Sequence, residues 1–148
     1  MNEVRIQREA FDPGHELGSF TRAAAGAGAV VSFSGLVRDD SGDLARLEIE
    51  HYPGMTEKAL GEIVAEARTR FSLTAARVIH RFGALAPGEP IMMVATAAPH
   101  RADAFAAADF LMDYLKSRAP FWKKEVSASG ENWVDAKQSD EAALDRWT

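Results

Sequence analysis

Four basic side chains lie close together in the chain with no acidic residue among them. They are Lys116, Arg118, Lys123 and Lys124, and residues 114–124 contain neither aspartate nor glutamate. The chain as a whole carries a net charge of −5. A local group of cations without nearby counter-charges favours an anionic partner. This stretch therefore predicts that the protein binds an anion.

Three more basic residues could serve the same site. Arg38 ends a predicted strand, and His100 and Arg101 open a predicted helix, where free backbone N–H groups and the helix dipole favour an anion. Arginine suits bidentate contacts to phosphate, whereas lysine acts as a point charge or, when desolvated, as a proton-transfer group. On spacing alone the ligand is anionic, and whether it carries a phosphate stays open.

Each of these cations also has a purely structural explanation. Arg38 can be a solvated strand end, and Lys116 can complement the negative end of a helix dipole. Lys123 and Lys124 can lie on a solvated strand edge, and His100 can hydrogen-bond the start of a helix. Only the number of cations taken together favours a binding site over these alternatives.

A helix is predicted to carry several of these residues. Its apolar positions recur at three- and four-residue spacing between two prolines, Pro99 and Pro120. They are Ala104, Phe105, Ala108, Leu111, Met112 and Leu115. The helix must end before Pro120, because proline biases the preceding residue out of helical geometry. A second helix is predicted after Gly54, with a buried stripe of Met55, Ala59, Ile63, Ala67 and Phe71.

The remaining elements predict the fold class. Residues 29–38 and 44–52 alternate apolar and polar side chains and are expected to pair as an antiparallel hairpin. Residues 91–98 are apolar on both faces, which predicts a central strand. This mixture of hairpins and helices predicts an α+β fold with a largely antiparallel sheet, as a single domain over residues 1–148. Short strands are expected at 125–128 and 132–136.

The C-terminal residues 137–148 are polar and acidic apart from Leu144 and Trp147. The sequence leaves open whether this tail is mobile or folds over a pocket.

Composition excludes several kinds of chemistry. The chain has no cysteine, which excludes disulfides, thiolate nucleophiles, persulfide carriers and cysteine-ligated metals. Any sulfur that the protein handles must therefore arrive on another molecule. Its four histidines show no zinc-binding spacing, so neither a metal nor a cofactor is expected. Residues 1–11 lack an apolar run, and no run is long enough to span a bilayer, so a cytoplasmic location is expected.

Six segments, in order and covering nearly the whole chain, resemble the large subunit of molybdopterin synthase, the MoaE family. They are FSGLVR (33–38), LEIEHYPGMTEKAL (47–60), HRFGALAPGE (80–89), APHRADAF (98–105), DYLKSRAPFWKKE (113–125) and NWV (132–134). The resemblance implies an α/β hammerhead fold and a homodimer. It also implies a heterotetramer, in which each large subunit binds a small ubiquitin-like subunit whose tail ends in Gly-Gly and carries a C-terminal thiocarboxylate.

The activity implied by the resemblance is sulfur transfer. The expected substrate is cyclic pyranopterin monophosphate, which receives two sulfurs to form the dithiolene of molybdopterin in molybdenum cofactor biosynthesis. By the same resemblance Lys116 and Lys123 are the catalytic residues and also bind substrate. Arg38, His100 and Arg101 are expected to hold the phosphate and the pterin, with His100 and Arg101 supplied by the other protomer.

Two other functions are compatible with the residues alone. The first is a non-catalytic dimeric module that binds a ubiquitin-like tail or a phosphorylated ligand without turning it over. The second is an RNA-binding protein that uses the basic patch, which the pI near 5.4 disfavours because nucleic-acid binders usually carry a basic excess.

Overall fold

The computed structural model describes residues 1–134 and 138–147. The strands are β1 (Asn2–Gln7), β2 (Ala29–Leu36), β3 (Leu44–His51), β4 (Ala75–Arg81), β5 (Gly83–Leu85), β6 (Pro90–Ala98), β7 (Phe121–Ser127) and β8 (Gly130–Val134). The helices are α1 (Pro13–Ala23), α2 (Met55–Arg70), α3 (Arg101–Ser117) and α4 (Gln138–Ala143), and a 3₁₀ turn covers Leu144–Trp147.

The strands form two four-stranded sheets. The first sheet has the order β1-β4-β6-β2, in which only the β1–β4 pair is parallel. The second has the order β5-β3-β7-β8 and is antiparallel throughout. The predicted α+β class with mostly antiparallel pairing is confirmed. The apolar strand β6 lies between β4 and β2 with its residues 91–98 buried, so its central position is also confirmed.

The predicted hairpin between residues 29–38 and 44–52 is wrong. Strand β2 pairs with β6, whereas β3 pairs with β5 and β7 in the other sheet. The chain leaves β2 through Val37, whose N–H donates to the Glu89 carbonyl at 2.9 Å. Strand β6 is apolar on both faces, as is typical of a strand with a neighbour on each side. Pairing with β2 gives β6 its second neighbour, so β2 is not available to pair with β3. Alternation of side chains predicts strands but not their partners.

The helices cover the two faces of the first sheet. Helix α1 buries Phe20 against one face, and α2 and α3 pack on the other. The predicted stripe of α2 is confirmed at Ala67, which is buried, but is off by one residue before it. The other buried positions are Thr56, Leu60 and Val64, while the predicted Met55 is 56% exposed. The Thr56 hydroxyl donates to the Tyr52 carbonyl at 2.9 Å, and this contact buries Thr56 at the start of the helix.

The C-terminal turn packs against α3. Leu144 is buried, and the Trp147 ring meets Phe71 and Phe110 edge-on. The indole N–H of Trp147 donates to the Asp113 carboxylate in α3 at 2.5 Å. Residues 135–137 and 148, which belong to the predicted last strand and the predicted tail, lie outside the described residues. The mobility of residues 137–148 stays a prediction.

Across the described ranges, no helix is long and apolar enough to cross a membrane.

Candidate active site

The two lysines that the sequence singles out lie on different elements. Lys116 is in the last turn of α3, and Lys123 is in β7. The helix ends where the Arg118 and Ala119 N–H groups both donate to the Tyr114 carbonyl, at 2.7 and 3.2 Å. Strand β7 then starts directly after Pro120 and pairs with β3. The proline break thus turns the chain so that both lysines line the same cavity.

This cavity has an inner and an outer part, both lined by the two lysines. The inner part has a volume of about 80 Å³ and apolar walls. Its lining consists of Phe33, Gly35, Leu36, His80, Ile91, Met92, Met112, Leu115, Lys116 and Lys123. The outer part measures about 510 Å³, a usual size for a small-molecule site, and includes Arg38, Asp40 and Glu125. The cavity therefore offers a small, mostly apolar recess beside a larger outer part with both polar and apolar walls.

The other two cations of the predicted group have counter-charges. Lys124 lies 3.3 Å from Glu48 in β3 and 3.5 Å from Glu131 in β8, and its hydrogen bond to Glu48 raises the pKa of Lys124. Arg118 lies 3.6 Å from Glu141 in α4. The prediction of cations without counter-charges is therefore wrong for Lys124 and Arg118. Lys116, by contrast, has no ion pair with any residue that the structure describes.

Arg38 is brought to the same place. It follows the end of β2 and lines the outer cavity together with Lys116 and Lys123. The Arg38 side chain is 72% exposed, and its Nε lies 2.9 Å from the Asp40 carboxylate. Because exposed pairs of this kind contribute little to stability, a bound anion can compete with Asp40 for the arginine.

His100 and Arg101 do not reach this cavity within one chain. They lie at the opposite end of α3, about 24 Å from Lys116 along the helix, since each residue advances the axis by about 1.5 Å. Both side chains are exposed. His100 occupies the N-cap position, but its side chain makes no capping hydrogen bond, so the structural explanation for this residue finds no support.

His80 is a cavity residue that the sequence reasoning missed. It is 3% exposed, and its ring stacks on Phe121 with centroids 3.7 Å apart and planes at 15°. Nδ1 lies 2.8 Å from the Arg81 carbonyl oxygen. Burial, with smaller contributions from the nearby charges of Lys123 and Lys116, lowers the pKa of His80 to about 3. The signal in the sequence was a polar residue within an apolar strand, which is compatible with many structural roles.

This arrangement is suited to stabilising negative charge. Lys116 and Lys123 line both parts of the cavity, and Arg38 lines the outer part. Cations in a site with apolar walls stabilise a developing anion more strongly than they would in water. The recess can take an extended acidic chain end, and the outer part can take a larger anionic molecule.

Comparison with known proteins supplies a family for this site. The family model described as MoaE protein matches residues 6–118. The chain belongs to the MoaE family. A molybdopterin synthase catalytic subunit from Cereibacter sphaeroides is 67% identical over 144 residues, which cover 97% of this chain and 99% of that relative.

Solved structures of MoaE proteins agree with the fold described above. The molybdopterin biosynthesis MoaE protein from Burkholderia ambifaria superposes with a TM-score of 0.85 at 50% identity, covering 99% of this chain and 98% of that one. Molybdopterin synthase from Staphylococcus aureus superposes with a TM-score of 0.79 at 30% identity, covering 88% and 96%. The family resemblance expected from the six sequence segments is thus confirmed.

Proposed function

We propose that this chain is the catalytic subunit of a molybdopterin synthase, a sulfurtransferase of molybdenum cofactor biosynthesis. The observation that carries the proposal is the pair Lys116 and Lys123, placed together at a two-part cavity. Membership of the MoaE family supplies the reaction, and the cavity supplies groups that suit it. The absence of cysteine fits a reaction in which the sulfur arrives on a partner.

The partner is a small ubiquitin-like subunit with a C-terminal thiocarboxylate. Its Gly-Gly end has no side chains, so it suits the narrow recess of about 80 Å³ beside the lysines. The thiocarboxylate is an anion and gains from both ammonium groups. Cyclic pyranopterin monophosphate then occupies the outer part, with its phosphate near Arg38.

The complete site uses two copies of this chain. His100 and Arg101 stand exposed, about 24 Å along α3 from Lys116, so they cannot hold a ligand in their own chain's cavity. In a homodimer, the same residues of the second copy complete the phosphate and pterin site. With two small subunits the assembly is a heterotetramer.

The chemistry begins when the thiocarboxylate sulfur attacks the substrate side chain and the cyclic phosphate opens. Lys116 and Lys123 stabilise the negative charge that develops, or move protons to and from it. Water hydrolyses the resulting acyl thioester, the spent small subunit leaves, and a second charged subunit delivers the second sulfur.

A cytoplasmic location belongs to the same proposal, and fractionation of cells that express a tagged chain tests it.

The deciding experiment is a single turnover with purified components. The chain is mixed with thiocarboxylated small subunit and cyclic pyranopterin monophosphate, and the products are followed by mass. Formation of the dithiolene product is the expected result. Tight binding of both components without any product would contradict the proposal and favour the non-catalytic binding module.

A further inference from the structure

We propose that Gly35 is a specificity-determining residue: because it has no side chain, the inner part of the cavity stays open to a chain end made of glycine. This inference deepens the proposed function and rests on its binding step, the entry of the small subunit's tail into the recess. The position of Gly35 in β2, facing the recess, decides which chain ends can enter.

Residues from β2, from β6 and from the last two turns of α3 line the recess. Gly35 in β2 pairs with Met92 in β6, and Met112 and Leu115 come from α3. A Cβ atom at Gly35 would lie 3.4 Å from Cγ and Sδ of Met92 and 3.7 Å from Cε1 of Phe33. Both of these side chains line the recess. A side chain at position 35 would therefore extend among the residues that bound this space.

The backbone gives no reason for a glycine at this position. The φ angle of Gly35 lies outside the left-handed region, unlike those of Gly54 and Gly83, which are 85° and 94°. The pairing with β6 is irregular after Gly35, but a bulge needs glycine only where φ is positive. The distances from the added Cβ are those of ordinary van der Waals contact, so a methyl group fits without moving the backbone. A glycine within a strand weakens it and often marks a place where a ligand approaches closely.

The size and lining of the recess determine the kind of ligand that it admits. Its volume is about 80 Å³, so even one added methyl group would take up a substantial part of it. A polypeptide end without side chains is the thinnest that a chain can offer, and it allows close approach of the backbone. Lys116 and Lys123 also line the recess and favour an anionic end group. A Gly-Gly carboxy-terminus meets both requirements, whereas a chain end with larger residues does not fit.

Two substitutions at position 35 narrow the recess by different amounts. Gly35→Ala adds one methyl group, and Gly35→Val adds a branched side chain that is common in strands. Ser32→Ala is the matched control, because Ser32 is exposed in the same strand and does not line the recess. Each variant is first checked for native dichroism and a cooperative melting transition. Gly35→Ala is expected to melt at or above the native temperature, because its Cβ makes only ordinary contacts and glycine weakens a strand.

Titration calorimetry then measures the Kd of each chain for two forms of the small subunit. One form is complete and ends in a carboxylate, and the other lacks the final two glycines. For the complete form, Gly35→Ala is expected to raise Kd by about tenfold or more and Gly35→Val to raise it further, because one extra methylene in a tight pocket costs about that much. Ser32→Ala should keep the native Kd. For the shortened form, all four chains should bind alike, since there is no tail to exclude.

Two results would overturn the inference. The first is a native Kd of folded Gly35→Ala for the complete small subunit. The second is an equal loss of affinity for the complete and shortened forms, which would place the effect of Gly35 outside the recess. The measurement involves no turnover, so failure of the proposed function is seen separately. A native chain that binds the tail but forms no dithiolene would contradict the proposed function alone, whereas a native chain that does not bind the small subunit would overturn both.

Discussion

The surroundings of Lys116 and Lys123 differ from those of their basic neighbours in the chain. Lys124 and Arg118 meet carboxylates from β3, β8 and α4, whereas Lys116 and Lys123 line the cavity. The sequence places the four cations near one another, but it does not show which cation will lie beside a glutamate in the folded chain. The sequence could therefore predict a group of cations, but only the fold separates the two lysines that line the cavity from the two cations that meet glutamates.

Removal of either cavity lysine should abolish most of the activity. Lys116→Ala and Lys123→Ala are each expected to lower sulfur-transfer turnover by about 10²-fold or more, because each deletes charge stabilisation in the transition state. Lys124→Ala is the matched control. It removes a lysine from the same strand as Lys123, but this lysine is paired with Glu48 and Glu131. Near-native turnover in Lys116→Ala or Lys123→Ala would remove that residue from the chemistry.

The buried imidazole of His80 should make stability depend on pH. Its pKa is about 3 in the folded chain, against 6.5 for an ordinary histidine. As pH falls from 6.5 towards 3, the unfolded chain takes up a proton that the folded chain refuses, so stability is lost over this window. In His80→Gln the free energy of unfolding should decrease less steeply as pH falls, by up to about 1.4 kcal/mol per pH unit.

Urea unfolding of both proteins between pH 6.5 and about 4 measures this difference, because the carboxylates contribute alike to each. Parallel stability curves for the native chain and His80→Gln would contradict a buried, neutral His80.

Among the helices and strands, the local sequence patterns predicted helix α3 correctly but did not predict which strands pair. Helix α3 was expected between Pro99 and Pro120, and it spans Arg101–Ser117 because prolines limit both ends of a regular apolar stripe. The partner of β2 could not be read in the same way. Strand pairing depends on which apolar surface remains to be covered, and here that surface belongs to β6, which follows more than fifty residues later.

A close backbone contact ties the start of β2 to the start of α3. Gly28 donates its N–H to the Ala98 carbonyl at 3.0 Å, and a Cβ atom at Gly28 would lie 2.2 Å from the Pro99 carbonyl oxygen. This contact lies next to His100 and Arg101. It explains why a glycine is required at this position.

Gly28→Ala should therefore destabilise the fold, by about 1–3 kcal/mol, because backbone atoms must move to admit the methyl group. Gly61→Ala is the control: this glycine lies within α2 and has no neighbouring atom within 4 Å of the added Cβ. That change should instead stabilise the protein by about 0.5–1 kcal/mol, since alanine is the better helix former. Chemical denaturation of the two variants compares them, and equal effects would refute the assigned contact.

In the molecule as a whole, the residues proposed to bind substrate lie at both ends of α3. Lys116 faces the cavity of its own chain, and His100 and Arg101 face solvent about 24 Å away along the axis. No internal motion of a rigid helix can bring its two ends together. A second copy related by a two-fold axis can, because each chain then offers its helix start to the cavity of the other. Because the chain has a net charge of −5, anions are repelled by most of its surface and bind at such local groups of cations.

Whether two chains together complete one cavity is tested by mixing subunits. Lys116→Ala and Arg101→Ala are purified separately, each with little activity, then mixed in equal amounts and allowed to exchange. Random pairing makes half of the dimers mixed, and each mixed dimer has one intact site of two, so turnover should recover to about a quarter of the native value. No recovery, in a sample where mass spectrometry shows that mixed dimers have formed, would contradict a site shared between chains.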